Sequence, residues 1–165
     1  MITREQIKEY LSYDPLTGEF TWVSLPARSR KVVGDVAGCN MRGYIGIWLY
    51  GKLWKAHRLA WIYMTGEPPQ GYIDHINGIP NDNRFENLRE ATNLENQRNS
   101  KMNASNTSGT RGLTWHKRDK NWQVSLRIDG RQKFIGTFKD KELAELVAEE
   151  AREKYHGDFY RKYKE

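Results

Sequence analysis

Hydrophobic and polar positions near the start of the chain follow first a helical and then a strand period. Ile7, Tyr10 and Leu11 form an i, i+3, i+4 stripe that predicts a helix over residues 2–12, with Thr3 as its N-cap. Alternating β-forming residues then predict a small antiparallel sheet. Its strands are expected at residues 19–23, 32–36, 44–50 and 53–56.

The middle of the chain has a helix followed by a short hairpin and a second helix. A helical pattern covers residues 57–65, and strand patterns cover residues 71–75 and 84–89. Thr92 with Glu95 three residues later forms a capping box, which predicts a helix that runs to about residue 99. The order strand, loop, strand, helix indicates a ββα hairpin.

Residues 101–109 have no hydrophobic period and are rich in Ser, Asn, Thr and Gly, as is typical of a linker. After it, residues 111–138 predict three short strands, in which Trp122, Val124 and Leu126 share one face. A helix is expected over residues 141–155. We therefore predict an α+β protein with a domain at residues 1–100, a linker at 101–109 and a second domain at 110–165.

Charge and composition narrow the classes of function. The net charge is +6 and the mean hydropathy is −0.86. Residues 26–58 contain seven Lys or Arg against one acid, and residues 101–138 contain eight against two, so two basic regions flank a near-neutral centre. This pattern favours a polyanionic partner. No hydrophobic run approaches the ~20 residues of a membrane span and no signal peptide is recognisable, so we expect a cytoplasmic protein without a membrane partner.

The near-neutral centre contains the residue types that metal-dependent phosphodiester hydrolysis requires. His75 has an unperturbed pKa of ~6.5 and suits a general base. Asp74 and Asn96 offer hard oxygen ligands, which favour Mg²⁺ or Mn²⁺, and Asn99 is an alternative to Asn96. Asn87 can hydrogen-bond across the hairpin and fix the imidazole. The single cysteine, Cys39, excludes a cysteine-based zinc cluster, and we expect no zinc.

These residues carry a resemblance to a known family. Asp74-His75, the run Asn87-Leu88-Arg89 and Asn96 resemble the ββα-metal site of HNH endonucleases, in particular phage and intron-encoded homing endonucleases. The similarity extends over roughly residues 10–100 and includes LSYDPLTGEFTW and KAHRLAWIYMTGEPP. The resemblance implies that His75 is the base, that Asp74 and Asn96 are the metal ligands, and that Asn87 orients the base.

The C-terminal part resembles a second family. The run GTRGLTWHKRDKNWQVSLRIDGRQKFIGTF and the helix after it are similar to the DNA-binding domain of plant ethylene-response-factor proteins. That resemblance implies that a three-stranded sheet lies in the major groove of DNA. Thr114 and Ser125 stand where the plant pattern has charged groups, so no base preference can be transferred.

Taken together, the patterns and the two resemblances predict a site-specific homing endonuclease that acts on double-stranded DNA in a phage-infected or bacterial host cell. It would act as a monomer or as a DNA-induced dimer. The alternatives are a non-catalytic DNA-binding regulator and an RNA-binding module. The expected DNA contacts are made by basic residues on the outer sheet faces and loops: Arg28, Arg30, Lys31, Arg42, Lys52, Arg111, Lys117, Arg118, Arg127 and Lys133.

Overall fold

Short strands and, in the described residues, four α-helices form two compact units that divide between Asn96 and Gln97. The computed structural model describes residues 1–27, 29–100, 102–128 and 130–159, except for the side chain of Asp158. All strand pairs in the described part are antiparallel, in two two-stranded and two three-stranded sheets. The α+β prediction is therefore confirmed.

The first unit begins with helix α1 (Arg4–Tyr10), which has the predicted N-cap. Thr3 Oγ1 accepts from the backbone of Gln6, and the Gln6 side chain accepts from the backbone of Thr3, which completes a capping box. The helix is shorter than expected because the chain becomes extended and forms strand β1 (Leu11–Tyr13). Strand β1 pairs with β2 (Phe20–Trp22) to form a hairpin.

A three-stranded sheet follows in the order β3, β4, β5, formed by Cys39–Met41, Tyr44–Leu49 and Lys52–Lys55. The strand predicted at residues 32–36 is wrong, since that segment has only an isolated bridge from Val36 to Thr21 and a turn at Gly34 with φ +94°. Strand β3 was missed. Its three residues are all exposed and carry no alternating hydrophobic pattern. Helix α2 (Ala56–Thr65) follows directly and ends at Gly66 in the left-handed conformation.

The predicted hairpin and helix follow, and the boundary between the two units falls within the helix. Strands β6 (Tyr72–His75) and β7 (Leu88–Ala91) pair in antiparallel fashion, and helix α3 (Asn93–Asn99) follows. The predicted capping box is confirmed, because Thr92 Oγ1 accepts from the Glu95 backbone and the Glu95 carboxylate accepts from the Thr92 backbone. A 3₁₀ turn (Phe85–Asn87) replaces the beginning of the strand expected at residues 84–89.

One hydrophobic core connects these elements of the first unit. Ile7 of α1, Phe20 of β2, Ile47 of β4 and Leu59 of α2 are each at most 2% exposed. Leu88 of β7 belongs to the same cluster. The catalytic hairpin predicted from the sequence is therefore packed on the N-terminal helices and strands.

The second unit is a three-stranded sheet covered on one face by a helix. Its strands are β8 (Leu113–His116), β9 (Asn121–Ile128) and β10 (Arg131–Phe138), in the order β10, β9, β8, followed by α4 (Lys141–His156). Alanines 144 and 148 of α4 are fully buried and let the helix approach Val124 of β9 closely. A 3₁₀ turn (Gly157–Phe159) ends the described part of the unit.

Candidate active site

The ββα hairpin places the predicted base at the end of a buried strand. Asp74 lies opposite Arg89, and His75 lies opposite Leu88, in the register of β6 and β7. Asp74 and His75 are 5% and 6% exposed. Adjacent strand residues point to opposite faces of a hairpin, so the two side chains meet different neighbours.

The imidazole of His75 is held by an asparagine of the following loop. His75 Nε2 lies 3.2 Å from Asn83 Oδ1, and Asn83 is 2% exposed. An amide oxygen can only accept, so Nε2 must carry the hydrogen, and Nδ1 is then the nitrogen with the basic lone pair. Burial lowers the pKa of His75, while the bond to Asn83 opposes that shift. The neutral imidazole that a general base requires is therefore favoured at neutral pH.

Asn87 forms hydrogen bonds across the hairpin through its side-chain amide and organises the loop between β6 and β7. Its Oδ1 accepts from the backbone N–H of Asn77 at 3.0 Å. Its Nδ2 donates to Asn77 Oδ1 at 3.1 Å and to the Asp82 carbonyl at 2.8 Å. Asn87 thus bridges both sides of the loop that carries Asn83. Sequence reasoning missed Asn83, since nothing in the spacing distinguishes it from the neighbouring Asn81 and Asn77.

Asp82 and Arg84 brace the same loop. Arg84 donates from Nε to Asp82 Oδ1 at 2.9 Å and from Nη2 to Oδ2 at 2.7 Å. These bonds, with one from Asn77, lower the pKa of Asp82 to about 2. A two-pronged guanidinium–carboxylate pair has a well-defined geometry. Side-chain hydrogen bonds therefore hold the loop between β6 and β7 on both sides of Asn83.

The predicted metal ligand Asp74 is engaged by a neighbouring cation. Arg89 donates to Asp74 Oδ2 from Nε at 2.9 Å and from Nη2 at 2.8 Å. These two bonds balance the charge of Asp74 and hold its carboxylate in place. Asn96, the other predicted ligand, is half-buried on α3, and carboxylate and amide oxygens are donor types that suit Mg²⁺ or Mn²⁺. Within the described ranges, no group of three or more His, Cys, Asp or Glu side chains converges as a metal centre.

A second buried histidine contacts the first. The rings of His57 and His75 are 5.0 Å apart at an interplanar angle of 89°, and His57 is 5% exposed. Burial lowers the pKa of His57 to about 3, so this ring is neutral as well. Tyr44 packs against both rings, at 5.5 Å from His57 and 6.1 Å from His75. The Lys55 ammonium lies 4.6 Å from the centroid of Tyr44 and brings a positive charge to this side of the site.

The basic residues predicted to bind DNA in the first unit are exposed where the structure describes them. Arg30 and Lys31 lie on the loop after β2, and Arg42 occupies the turn between β3 and β4 with φ +53°. Lys52 begins β5, with its ammonium 4.4 Å from the ring of Trp54. Arg28 lies outside the described residues.

The second unit separates its predicted DNA contacts onto different surfaces. Arg127 of β9 faces away from α4 and donates to the Gly130 carbonyl at 3.1 Å. Lys133 was expected beside it, but that placement is wrong. In the register of the sheet Lys133 lies opposite the buried Leu126, and its ammonium donates to Tyr155 Oη of α4 at 3.0 Å. Lys133 is therefore on the helix side of the sheet.

Of the other three residues predicted to bind DNA in this unit, one is hydrogen-bonded to the protein backbone and two are exposed. The Arg111 guanidinium donates to the carbonyls of Gln97, Arg98 and Ser100, at the end of α3. Arg118 is 90% exposed and pairs with Asp119, while Lys117 is exposed. Arg111 thus has a structural role, and Arg118 and Lys117 face solvent.

No helix in the part of the chain that the structure describes is long and apolar enough to cross a membrane.

The sequence profile of the HNH endonuclease family matches residues 55–98, which include α2, both strands of the hairpin and most of α3. No solved structure matches the fold.

A relative is found among curated proteins. The chain is similar to the protein named Protein 3.8 of Escherichia phage T7, with 38% identity over 118 residues, which cover 68% of this chain and 95% of the relative. The family profile indicates a nuclease domain that binds DNA, and the paired strands of the hairpin lie within the matched residues. The chain therefore carries an HNH endonuclease domain at residues 55–98 and belongs to the same family as Protein 3.8 of phage T7.

Proposed function

We propose that this protein is a site-specific, metal-dependent DNA endonuclease of the homing type and that His75 is its general base. The observation that supports this proposal best is the bond between His75 Nε2 and Asn83 Oδ1 at 3.2 Å. It makes Nδ1 the proton acceptor of a buried, neutral imidazole. A base of this kind is what hydrolysis of a phosphodiester by water requires.

The proposed reaction begins with proton transfer from a water molecule to His75 Nδ1. The water oxygen attacks the scissile phosphorus, and the bond from phosphorus to the 3′ oxygen breaks. The departing 3′ oxygen takes up a proton from solvent, which leaves a 3′-hydroxyl and a 5′-phosphate. Asn83 holds the imidazole during this step, and Asn87 holds the loop from which Asn83 projects.

Asp74 and Asn96 are the residues that would hold a divalent metal, Mg²⁺ or Mn²⁺, with Asn99 as the alternative to Asn96. A bound divalent ion supplies positive charge to the phosphate and to the leaving oxygen. Arg89 keeps the Asp74 carboxylate in place through its two bonds to Oδ2. Asp74 is 5% exposed, and a buried carboxylate without a cation would be costly, so Arg89 also balances its charge.

Cleavage of duplex DNA tests the assignment directly. Supercoiled plasmid and a labelled duplex are incubated with the protein, with and without Mg²⁺, and binding is measured separately by gel shift. His75→Ala should abolish cleavage and retain binding, whereas His116→Ala, at an exposed histidine of the second unit, should cleave as the parent protein does.

Unchanged cleavage by His75→Ala would refute the proposed base. A parent protein that binds duplex DNA but does not cut it in the presence of Mg²⁺ would instead favour the non-catalytic regulator. Stronger competition by RNA than by duplex DNA would favour the RNA-binding module. Mapping the cut positions on each strand distinguishes a nicking monomer from a DNA-induced dimer that cuts both strands.

We also propose that the second unit is a DNA-binding domain of the ethylene-response-factor type. The outer face of its sheet presents Arg127 and the aromatic ring of Phe134, which is 59% exposed although it is large and hydrophobic. Such a face can contact bases and phosphates in a groove.

A matched pair of variants tests that face. Arg127→Ala should weaken binding to duplex DNA by about 1–3 kcal/mol, the usual worth of a direct contact. Lys133→Ala removes a lysine from the helix side of the adjacent strand and should weaken binding less. Equal losses of affinity in a gel-shift titration would contradict the assignment of the outer face.

A further inference from the structure

The turn between β1 and β2 lies far from the hairpin of β6 and β7 in sequence. It covers residues 14–18, within the run LSYDPLTGEFTW. The Gly18 N–H donates to the Asp14 carbonyl at 2.8 Å, and Asp14 Oδ1 accepts from the Leu16 N–H at 2.9 Å. These two bonds close the turn.

The turn packs directly on the loop that holds the His75 imidazole. The Phe85 N–H donates to the Pro15 carbonyl at 3.1 Å. Gly18 has φ +77°, and a Cβ at this position would lie 2.4 Å from the Arg84 nitrogen and 2.5 Å from the Asn83 carbonyl carbon. No side chain fits in that space, so the absence of a Cβ is what allows the two backbones to touch.

Tyr13 adds a bond to the same backbone from the end of β1. Its hydroxyl donates to the Asn83 carbonyl at 2.7 Å in a buried environment, and Tyr13 is 5% exposed. Burial raises the pKa of Tyr13, so the hydroxyl keeps its hydrogen and remains a donor. The ring is fixed by contact with Phe20 at 4.7 Å and with Tyr63 at 5.7 Å.

Asn83 is thus restrained at both of its ends. Its backbone is held by Tyr13 and by the close approach of Gly18, and its side chain bonds to His75. An amide on a loosely held loop would populate several positions and rotamers, and only some of them would reach the imidazole. Restraint of the Asn83 backbone selects the position from which Oδ1 meets Nε2.

We propose that Tyr13 and the turn at residues 14–18 form a positioning clamp that acts through Asn83 to fix the ring orientation and the Nε2–H tautomer of His75. This inference rests on the proposed role of His75 as general base. Tyr13 and Asn83 are positioning residues, because neither is assigned a contact with DNA or with the reacting atoms. Loss of the clamp lowers the fraction of enzyme with Nδ1 directed at the water and leaves DNA contacts unchanged.

Three variants of the full-length protein test the clamp: Tyr13→Phe, Asn83→Ala and the control Tyr63→Phe. Tyr63 lies in the same aromatic cluster, but its hydroxyl is hydrogen-bonded to no residue in the described ranges. The measurements are kcat and KM for a labelled duplex, and the ¹⁵N chemical shifts of the His75 ring, which report the tautomer in the DNA-free protein.

We expect kcat to fall about fivefold in Tyr13→Phe, the equivalent of one net hydrogen bond. In Asn83→Ala it should fall by up to about 100-fold, the usual cost of a misplaced catalytic group. KM should stay within about twofold in both. The ring shifts should move from the Nε2–H pattern towards a mixture of tautomers, most in Asn83→Ala. Tyr63→Phe should match the parent protein in all three measurements.

Two outcomes would overturn the clamp while His75→Ala remains inactive. One is parent-like kcat and ring shifts in Tyr13→Phe and Asn83→Ala, and the other is a rise in KM alone, which would make the turn a DNA contact. Cleavage by His75→Ala would refute the proposed function instead. In that event the ring shifts still decide whether the clamp sets the tautomer, because they are measured without DNA or turnover. Thermal unfolding of each variant identifies any loss of fold, and the conservative Tyr13→Phe remains interpretable if Asn83→Ala does not fold.

Discussion

Substitution of Gly18 by alanine should destabilise the first unit far more than the loss of backbone freedom explains. The new Cβ would lie 2.4 Å from the Arg84 nitrogen, about 1 Å closer than an ordinary contact, so the turn must move away. A shift of that size breaks the bonds from Tyr13 to the Asn83 carbonyl and from Phe85 to the Pro15 carbonyl. Each bond contributes about 1 kcal/mol.

The backbone conformation adds to this cost. Gly18 has φ +77°, and an alanine in the left-handed region costs about 1 kcal/mol. The contributions together come to about 3 kcal/mol, which corresponds to a fall in Tm of roughly 10 °C for a chain of this size. Urea denaturation followed by circular dichroism measures the free energy of unfolding directly.

The turn between β4 and β5 offers a matched control. Gly51 has φ +70°, and a Cβ there would meet nothing within 4 Å. Gly51→Ala should therefore show only the conformational cost, about 1 kcal/mol. The difference of about 2 kcal/mol between the two variants isolates the close approach of the turn to the loop. Equal destabilisation by both substitutions would show that no such contact exists in solution.

Three further predictions concern metal, pH and charge. Chelation of divalent metal with EDTA should abolish cleavage and spare binding in a gel shift, and added Mg²⁺ should restore cleavage. The pKa of Asp82 is lowered to about 2, so its stabilising effect is complete above about pH 4 and is lost towards pH 2. Asp82→Asn should therefore flatten acid unfolding in that range, followed by circular dichroism. Lys55 lies over the ring of Tyr44, and Lys55→Ala should slow cleavage of bound DNA on the order of tenfold. Lys8 is stacked in a similar way on Tyr63, and Lys8→Ala should leave the rate of cleavage unchanged.

Much of the fold could be predicted from the sequence because its signals are local. The N-cap at Thr3 and the capping box at Thr92 involve residues at most three apart, and both form as predicted. The order strand, loop, strand, helix around His75 follows from hydrophobic period and turn residues, and the structure confirms it. Strand β3 escaped prediction because its three exposed residues are held by pairing with β4 and not by any pattern of their own.

In the sheet of the second unit, hydrophobic alternation predicts the buried face of β9 but not that of β10. Alternation within β9 correctly separates the buried Val124 and Leu126 from the exposed Arg127. The residues of β10 are mostly exposed, so hydrophobic alternation does not indicate which of them face α4. The hairpin register decides this by placing Lys133 opposite Leu126, and a bulge between Phe134 and Gly136 then shifts the pattern.

The sequence alone identified Asp74, His75 and Asn96 as the candidate groups for hydrolysis, by residue type and spacing. Only the tertiary structure decided which residue holds the His75 imidazole. Asn83 is one of several loop asparagines, and its side chain reaches His75. Its backbone contacts Tyr13 and Gly18, which lie about 65–70 residues earlier in the chain. A contact across that separation depends on the packing of two distant segments, and no local period or spacing in a single sequence encodes it.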